Sequence, residues 1–115
     1  MGIIIYHNPR CSKSRQTMSL IREQGHTPKI IEYLKEPPSV SEILNILSLL
    51  ELEPRAILRT KEELYKKLNL SNSDLTVDQL VEAIANNPIL MERPIVINGN
   101  KAAIGRPPEK VLPIL

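Results

Sequence analysis

A helix-starting device recurs three times in the middle of this chain, and it restricts the fold more than any other feature. Ser39 with Glu42, Thr60 with Glu63 and Thr76 with Gln79 each place a hydroxyl three residues before a Glu or Gln. At that spacing the hydroxyl accepts from the third helical amide while the Glu or Gln side chain returns to the cap amide, so two otherwise unpaired donors are satisfied. Apolar residues at helical spacing follow, as in "SVSEILNILSLL" and "TVDQLVEAIANN". Three capped helices in succession are expected, forming a helical insert over approximately residues 39–87 of a single 1–115 domain.

The flanks read differently. "IIIY" at 3–6 is β-branched and too short for a helix, which makes it a buried strand broken by His7, Asn8 and Pro9. A helix is expected from Ser12 or Ser14, with Thr17, Met18 and Ile21 on one face and Gly25 as the stop. "KIIEYL" at 29–34 reads as a second strand, closed off by Pro37 and Pro38. Beyond the insert, "PIVIN" (94–98) and "KAAI" (101–104) are short strands joined around Asn98-Gly99-Asn100, a strong hairpin signal. "RPPEKVLPIL" ends the chain as a short helix or an irregular tail. A β-α-β unit wants parallel strands and a hairpin must be antiparallel, so the fold class is α/β with a four-stranded mixed sheet.

Composition narrows the function. With three tyrosines and no Phe or Trp there is no stacking platform for single-stranded nucleic acid, and a net charge of +2 gives little support for polyanion binding. No segment approaches the run of about 18 apolar residues that spans a membrane. "MGIIIYHNP" lacks the basic start of a signal peptide, and Tyr6 stands where a myristoylation motif has Ser or Thr. Neither nucleic acid nor membrane is an expected partner. One cysteine cannot close an internal disulfide, and a cytoplasmic monomer is expected.

That cysteine, Cys11, lies in "YHNPRCSKSRQT", at the junction of the first strand and the first helix. A thiol there sits beside unpaired backbone N–H groups and the positive end of the helix dipole, and both favour thiolate over thiol. Arg10 and Arg15 add nearby positive charge, and polar neighbours on every side argue against burial. A reactive nucleophile is therefore expected rather than a small core residue. Ser14 occupies the place where a C-x-x-C dithiol would have its second cysteine, and position 17 is Thr where a tyrosine-phosphatase loop requires Arg. Zinc through His7 and Cys11 would need further ligands, and His26 is the only other histidine, so no metal is expected.

"YHNPRCSKSR", "EYLKEPP", "RAILR", "NPILMERPIV" and "GRPPEKVL" resemble, in order and spacing, the glutaredoxin-linked arsenate reductases over essentially the whole chain. The resemblance implies a thioredoxin-like fold with a helical insert. It matches Cys11 to the nucleophile that attacks arsenate, and Arg59, Arg93 and Arg106 to the arginines that hold the oxyanion. His7 and Ser14 match residues that support the thiolate, His7 through charge and Ser14 by hydrogen bonding, and Pro94 matches a cis proline facing the cysteine. No bound cofactor is implied; glutathione is the co-substrate and glutaredoxin the protein partner. The chain ends at "VLPIL", whereas some members carry a longer tail. Guanidinium groups suit this chemistry because a thiolate attacking an oxyanion brings two negative species together. Two other functions stay open on sequence: a redox-sensing regulator of the same fold that binds RNA polymerase, and a glutathione-dependent oxidoreductase with another substrate.

Overall fold

The computed structural model describes residues 2–115. Four strands form one sheet: β1 (Ile3–His7), β2 (Lys29–Glu32), β3 (Ile95–Asn98) and β4 (Lys101–Ile104), in the order β2-β1-β3-β4. β1 runs parallel to β2 and antiparallel to β3, and β3 runs antiparallel to β4. This is the mixed sheet that the β-α-β unit and the hairpin around residues 98–100 demand. Gly99 takes φ +64° at the first position of the two-residue loop, which suits a type II′ turn.

The chain forms two compact units, one made of the segment ending at Glu36 together with Arg93–Leu115, the other of Pro37–Glu92. In the first unit α1 (Ser12–Glu23) buries Ser14, Thr17, Met18 and Ile21, the face expected from their spacing. Its end is a Schellman turn: Gly25 N–H donates to Arg22 O, His26 N–H donates to Ile21 O, and Gly25 sits at φ +86°. Met18 and Ile21 pack with Ile3, Ile5, Val96 and Val111 to form the core on one face of the sheet. The tail is a 3₁₀ helix, Pro108–Ile114, and Asn98 Nδ2 donates to Ile114 O to fasten it.

The second strand is shorter than its apolar run suggests. β2 stops at Glu32, which pairs with His7, the last residue of β1. With no further partner the chain turns, and the Glu32 carbonyl accepts from the amides of Lys35 and Glu36.

In the second unit α2 (Val40–Leu50) and α4 (Val77–Asn86) pack together, burying Ile43, Ile46 and Leu47 on one and Leu80, Val81 and Ile84 on the other. The capping boxes at Ser39/Glu42 and Thr76/Gln79 are both formed. The box expected at Thr60/Glu63 is not. α3 is only Glu63–Lys67, its cap is Glu62, and no side chain caps it. Thr60 lies instead in a turn closed by Glu62 N–H donating to Arg59 O, so its hydroxyl is not at a helix start. Arg55 fastens the adjoining 3₁₀ turn, Pro54–Ile57, by donating to Leu70 O and Asn72 O at 2.8 and 2.7 Å.

Among the described residues, no helix is long and apolar enough to cross a membrane, and no cluster of His, Cys, Asp or Glu is placed to hold a metal ion.

Candidate active site

The loop from β1 to α1 is held from several directions. Cys11 N–H donates to Asn8 O, closing a tight turn over Asn8-Pro9-Arg10-Cys11. Arg10 N–H donates to Asn8 Oδ1, and Arg15 Nη1 reaches back from α1 to Pro9 O at 2.9 Å. Cys11 is the N-cap of α1, extended at φ −96° and ψ 123°, and its carbonyl accepts the first helical bond from Arg15. The backbone thus carries the sulfur at the helix start, and the Cys11 side chain makes no capping bond.

The polar surroundings of Cys11 in sequence point to an exposed thiol, and the structure corrects this. Arg10, Ser12 and Lys13 are exposed, whereas Cys11 is only 8% exposed. The neighbours turn outward and the thiol inward, where Arg106 Nη2 stands 3.6 Å from Sγ. The same guanidinium donates from Nε to Arg93 O at 2.7 Å, so one planar fork binds both the sulfur and the loop of Arg93. The Arg93–Pro94 and Arg106–Pro107 peptides are both cis. Nε and Nη1 of Arg93 are shut off from solvent. Cys11, Arg93, Pro94 and Arg106 therefore belong to one unit, with Arg106 bonded to both Cys11 and Arg93. Arg59 belongs to the second unit, where its backbone follows the Leu58–Met91 bridge and its Nη1 pairs with Glu62 Oε1 at 2.6 Å.

His7 and Ser14 are buried side by side and share a 2.6 Å hydrogen bond between Nδ1 and Oγ. Ser14 Oγ also accepts from Asn8 N–H at 3.0 Å. The Ser14 hydroxyl thus holds the imidazole and the loop rather than bonding the sulfur directly. Burial pushes the His7 imidazole below its ordinary value of 6.5; nearby Glu32 opposes this, while Arg22 and Arg15 reinforce it. Burial thus disfavours the charged form of the ring, and its bond to Ser14 ties it to the loop that carries Cys11.

The depressed His7 value has a consequence for stability. Below about pH 6.5 the unfolded chain binds a proton at this ring that the folded chain resists, so stability falls with pH from there toward the lower folded value. Urea midpoints measured from pH 8 to pH 5 are expected to fall less steeply in His7→Gln than in the parent. Parallel curves would contradict the buried neutral ring.

Gly105, beside Arg106, has a role that no local pattern in the sequence signals. A Cβ built there would lie 2.5 Å from Thr17 Oγ1 and 2.9 Å from Pro94 Cγ. Thr17 cannot give way easily, because it is fully buried and its hydroxyl donates to Lys13 O at 2.8 Å. Gly105 N–H meanwhile donates to Pro94 O at 2.9 Å. The glycine lets α1, the Pro94 loop and the Arg106 loop meet without a side chain between them. Gly105→Ala is expected to cost roughly 1–3 kcal/mol in urea unfolding through overpacking. Adding Thr17→Ala should restore part of that loss, and an unchanged midpoint in the single variant would contradict the contact.

The ArsC family model matches residues 6–114. The chain belongs to the ArsC family. It is 53% identical over 116 residues to an arsenate reductase of Haemophilus influenzae, covering all of both chains. It is 49% identical over 112 residues to the Escherichia coli protein named "Uncharacterized protein YfgD", covering 96% of this chain and 94% of that one. Among solved structures, an arsenate reductase from Vibrio cholerae superposes with a TM-score of 0.98 at 52% identity, covering 100% of this chain and 98% of that chain. The thioredoxin-like fold of this ArsC chain is thereby shared with a structure of high identity.

Proposed function

We propose that this protein reduces arsenate to arsenite, with Cys11 as nucleophile, glutathione as the second thiol and a glutaredoxin as the protein that resolves the product. The observation that carries the reading is the single thiol at the start of α1 with the Arg106 guanidinium 3.6 Å away, in a chain of the ArsC family. Arg106, Arg93 and Arg59 are the proposed oxyanion-binding residues, and His7, Ser14 and Pro94 hold the loops that carry Cys11 and Arg93.

The stoichiometry follows from the single cysteine. The Cys11 thiolate attacks arsenic and a hydroxyl leaves as water, giving a covalent adduct. Reduction to the trivalent state takes two electrons, and one thiol cannot supply both by closing a disulfide within this chain. A glutathione thiolate provides the second sulfur. Release of arsenite leaves a Cys11–glutathione disulfide, which glutaredoxin returns to the thiol by exchange. A cleft of about 230 Å³ lies beside the turn that ends at Cys11; Lys35 on its edge is paired with Glu32 at 3.7 Å, which leaves Arg10 as the cation for a carboxylate of the tripeptide. Work in the cytoplasm as a monomer is part of the proposal, since the thiol must return to the reduced state between turnovers.

Mass spectrometry of a reaction with arsenate and glutathione but no glutaredoxin is expected to find one glutathione on Cys11. A protein that turns over under these conditions with its thiol never modified would overturn the mechanism.

A further inference from the structure

We propose that Glu62 is a specificity-determining carboxylate, which lets Arg59 accept oxyanions that carry a proton and turns away those that carry none. The inference rests on the reading of Arg59 as an oxyanion-binding residue. Arg59 Nη1 and Glu62 Oε1 are 2.6 Å apart, with side chains only 23% and 25% exposed. A charge-assisted bond this short and this sheltered differs from a solvated surface pair, whose partners exchange freely with water. The backbone fixes both ends. Arg59 N–H donates to Leu90 O at 2.8 Å, Leu58 bridges Met91, and Glu62 N–H donates to Arg59 O at 3.2 Å. Guanidinium and carboxylate therefore stand on one anchored turn.

An oxyanion that reaches Arg59 meets Glu62 as well. An ionised carboxylate only accepts hydrogen bonds. Hydrogen arsenate and hydrogen phosphate bear an O–H that can donate to Glu62 while their other oxygens accept from Arg59. Sulfate at neutral pH has only acceptors. Its oxygen and the Glu62 carboxylate would face each other with no proton between them, which leaves acceptors unpaired and like charges adjacent. Sulfate is thus rejected, whereas arsenate and phosphate are not told apart by this residue.

The test is direct anion binding with no glutathione added. The parent, Glu62→Gln and Glu63→Gln proteins are titrated with sulfate, phosphate and arsenate, followed by amide chemical shifts. A glutamine at position 62 can donate to sulfate and still accept from hydrogen arsenate. Sulfate affinity in Glu62→Gln is expected to rise roughly tenfold or more relative to arsenate and phosphate. Glu63→Gln makes the same change in net charge one residue away and should leave that ratio where it was. An unchanged ratio in Glu62→Gln, an equal change in Glu63→Gln, or no binding of any of the three anions would each overturn the inference. No turnover is measured, so a failure to produce arsenite would bear on the proposed function alone.

Discussion

Replacing Cys11 by serine is expected to lower arsenite formation by roughly a thousandfold or more, to the background of free glutathione, while the protein stays folded. A hydroxyl at this position gives almost no anion at neutral pH and cannot form the sulfur–arsenic bond or the mixed disulfide that follows. The fold should tolerate the change. Cys11 holds the start of α1 through its backbone, by N–H to Asn8 O and carbonyl from Arg15 N, and its side chain makes no capping bond. Circular dichroism and the urea midpoint should therefore stay close to those of the parent. Residual turnover within tenfold of the parent would show that the chemistry runs through another group.

The second large effect is expected at Arg106. Its Nη2 faces the Cys11 sulfur at 3.6 Å and its Nε binds Arg93 O at 2.7 Å, so it both places positive charge by that sulfur and ties the two loops together. Arg106→Ala should lower kcat/KM for arsenate by about 10²–10³, the usual loss when a donor to developing negative charge is removed. Arg106→Lys should rescue little of it. A lysine keeps the charge but has a single nitrogen, which cannot serve a sulfur and a carbonyl in the fixed geometry of a guanidinium. Steady-state kinetics on the two variants checks this, and near-complete recovery by lysine would mean that charge alone matters.

Local signals in the sequence carried much of the fold. The hairpin turn around residues 98–100, the glycine stop after α1 and two of the three capping boxes depend on residues within four positions of one another, and each formed, the turn with Gly99-Asn100 as its loop. The third box failed for a reason that pattern alone does not contain. Glu62 is paired with Arg59, and the turn that joins them displaces the helix start past Thr60. β2 ended early because β1 ran out of residues to pair with it, a limit set by the partner strand.

The site was legible in residue identity more than in role. Cys11 at a strand–helix junction is visible in the sequence, but its burial is not, because the outward-facing neighbours say nothing of which way the thiol turns. The convergence of Arg106 on Cys11, and the need for glycine at position 105 against Thr17 and Pro94, arise between segments far apart in the chain. His7 and Ser14 could be matched by resemblance. Their hydrogen bond to each other, the bond of Ser14 to Asn8, and the way burial disfavours charge on His7 required the packed structure.

Arsenite formation by the purified protein, with each reductant withheld in turn, tests the central claim most directly. Turnover is predicted with glutathione and glutaredoxin together, to be lost when glutathione is left out, and to be poor with thioredoxin as sole reductant, because this chain has one thiol and cannot present an internal disulfide. Efficient arsenite formation with thioredoxin and no glutathione would contradict the account.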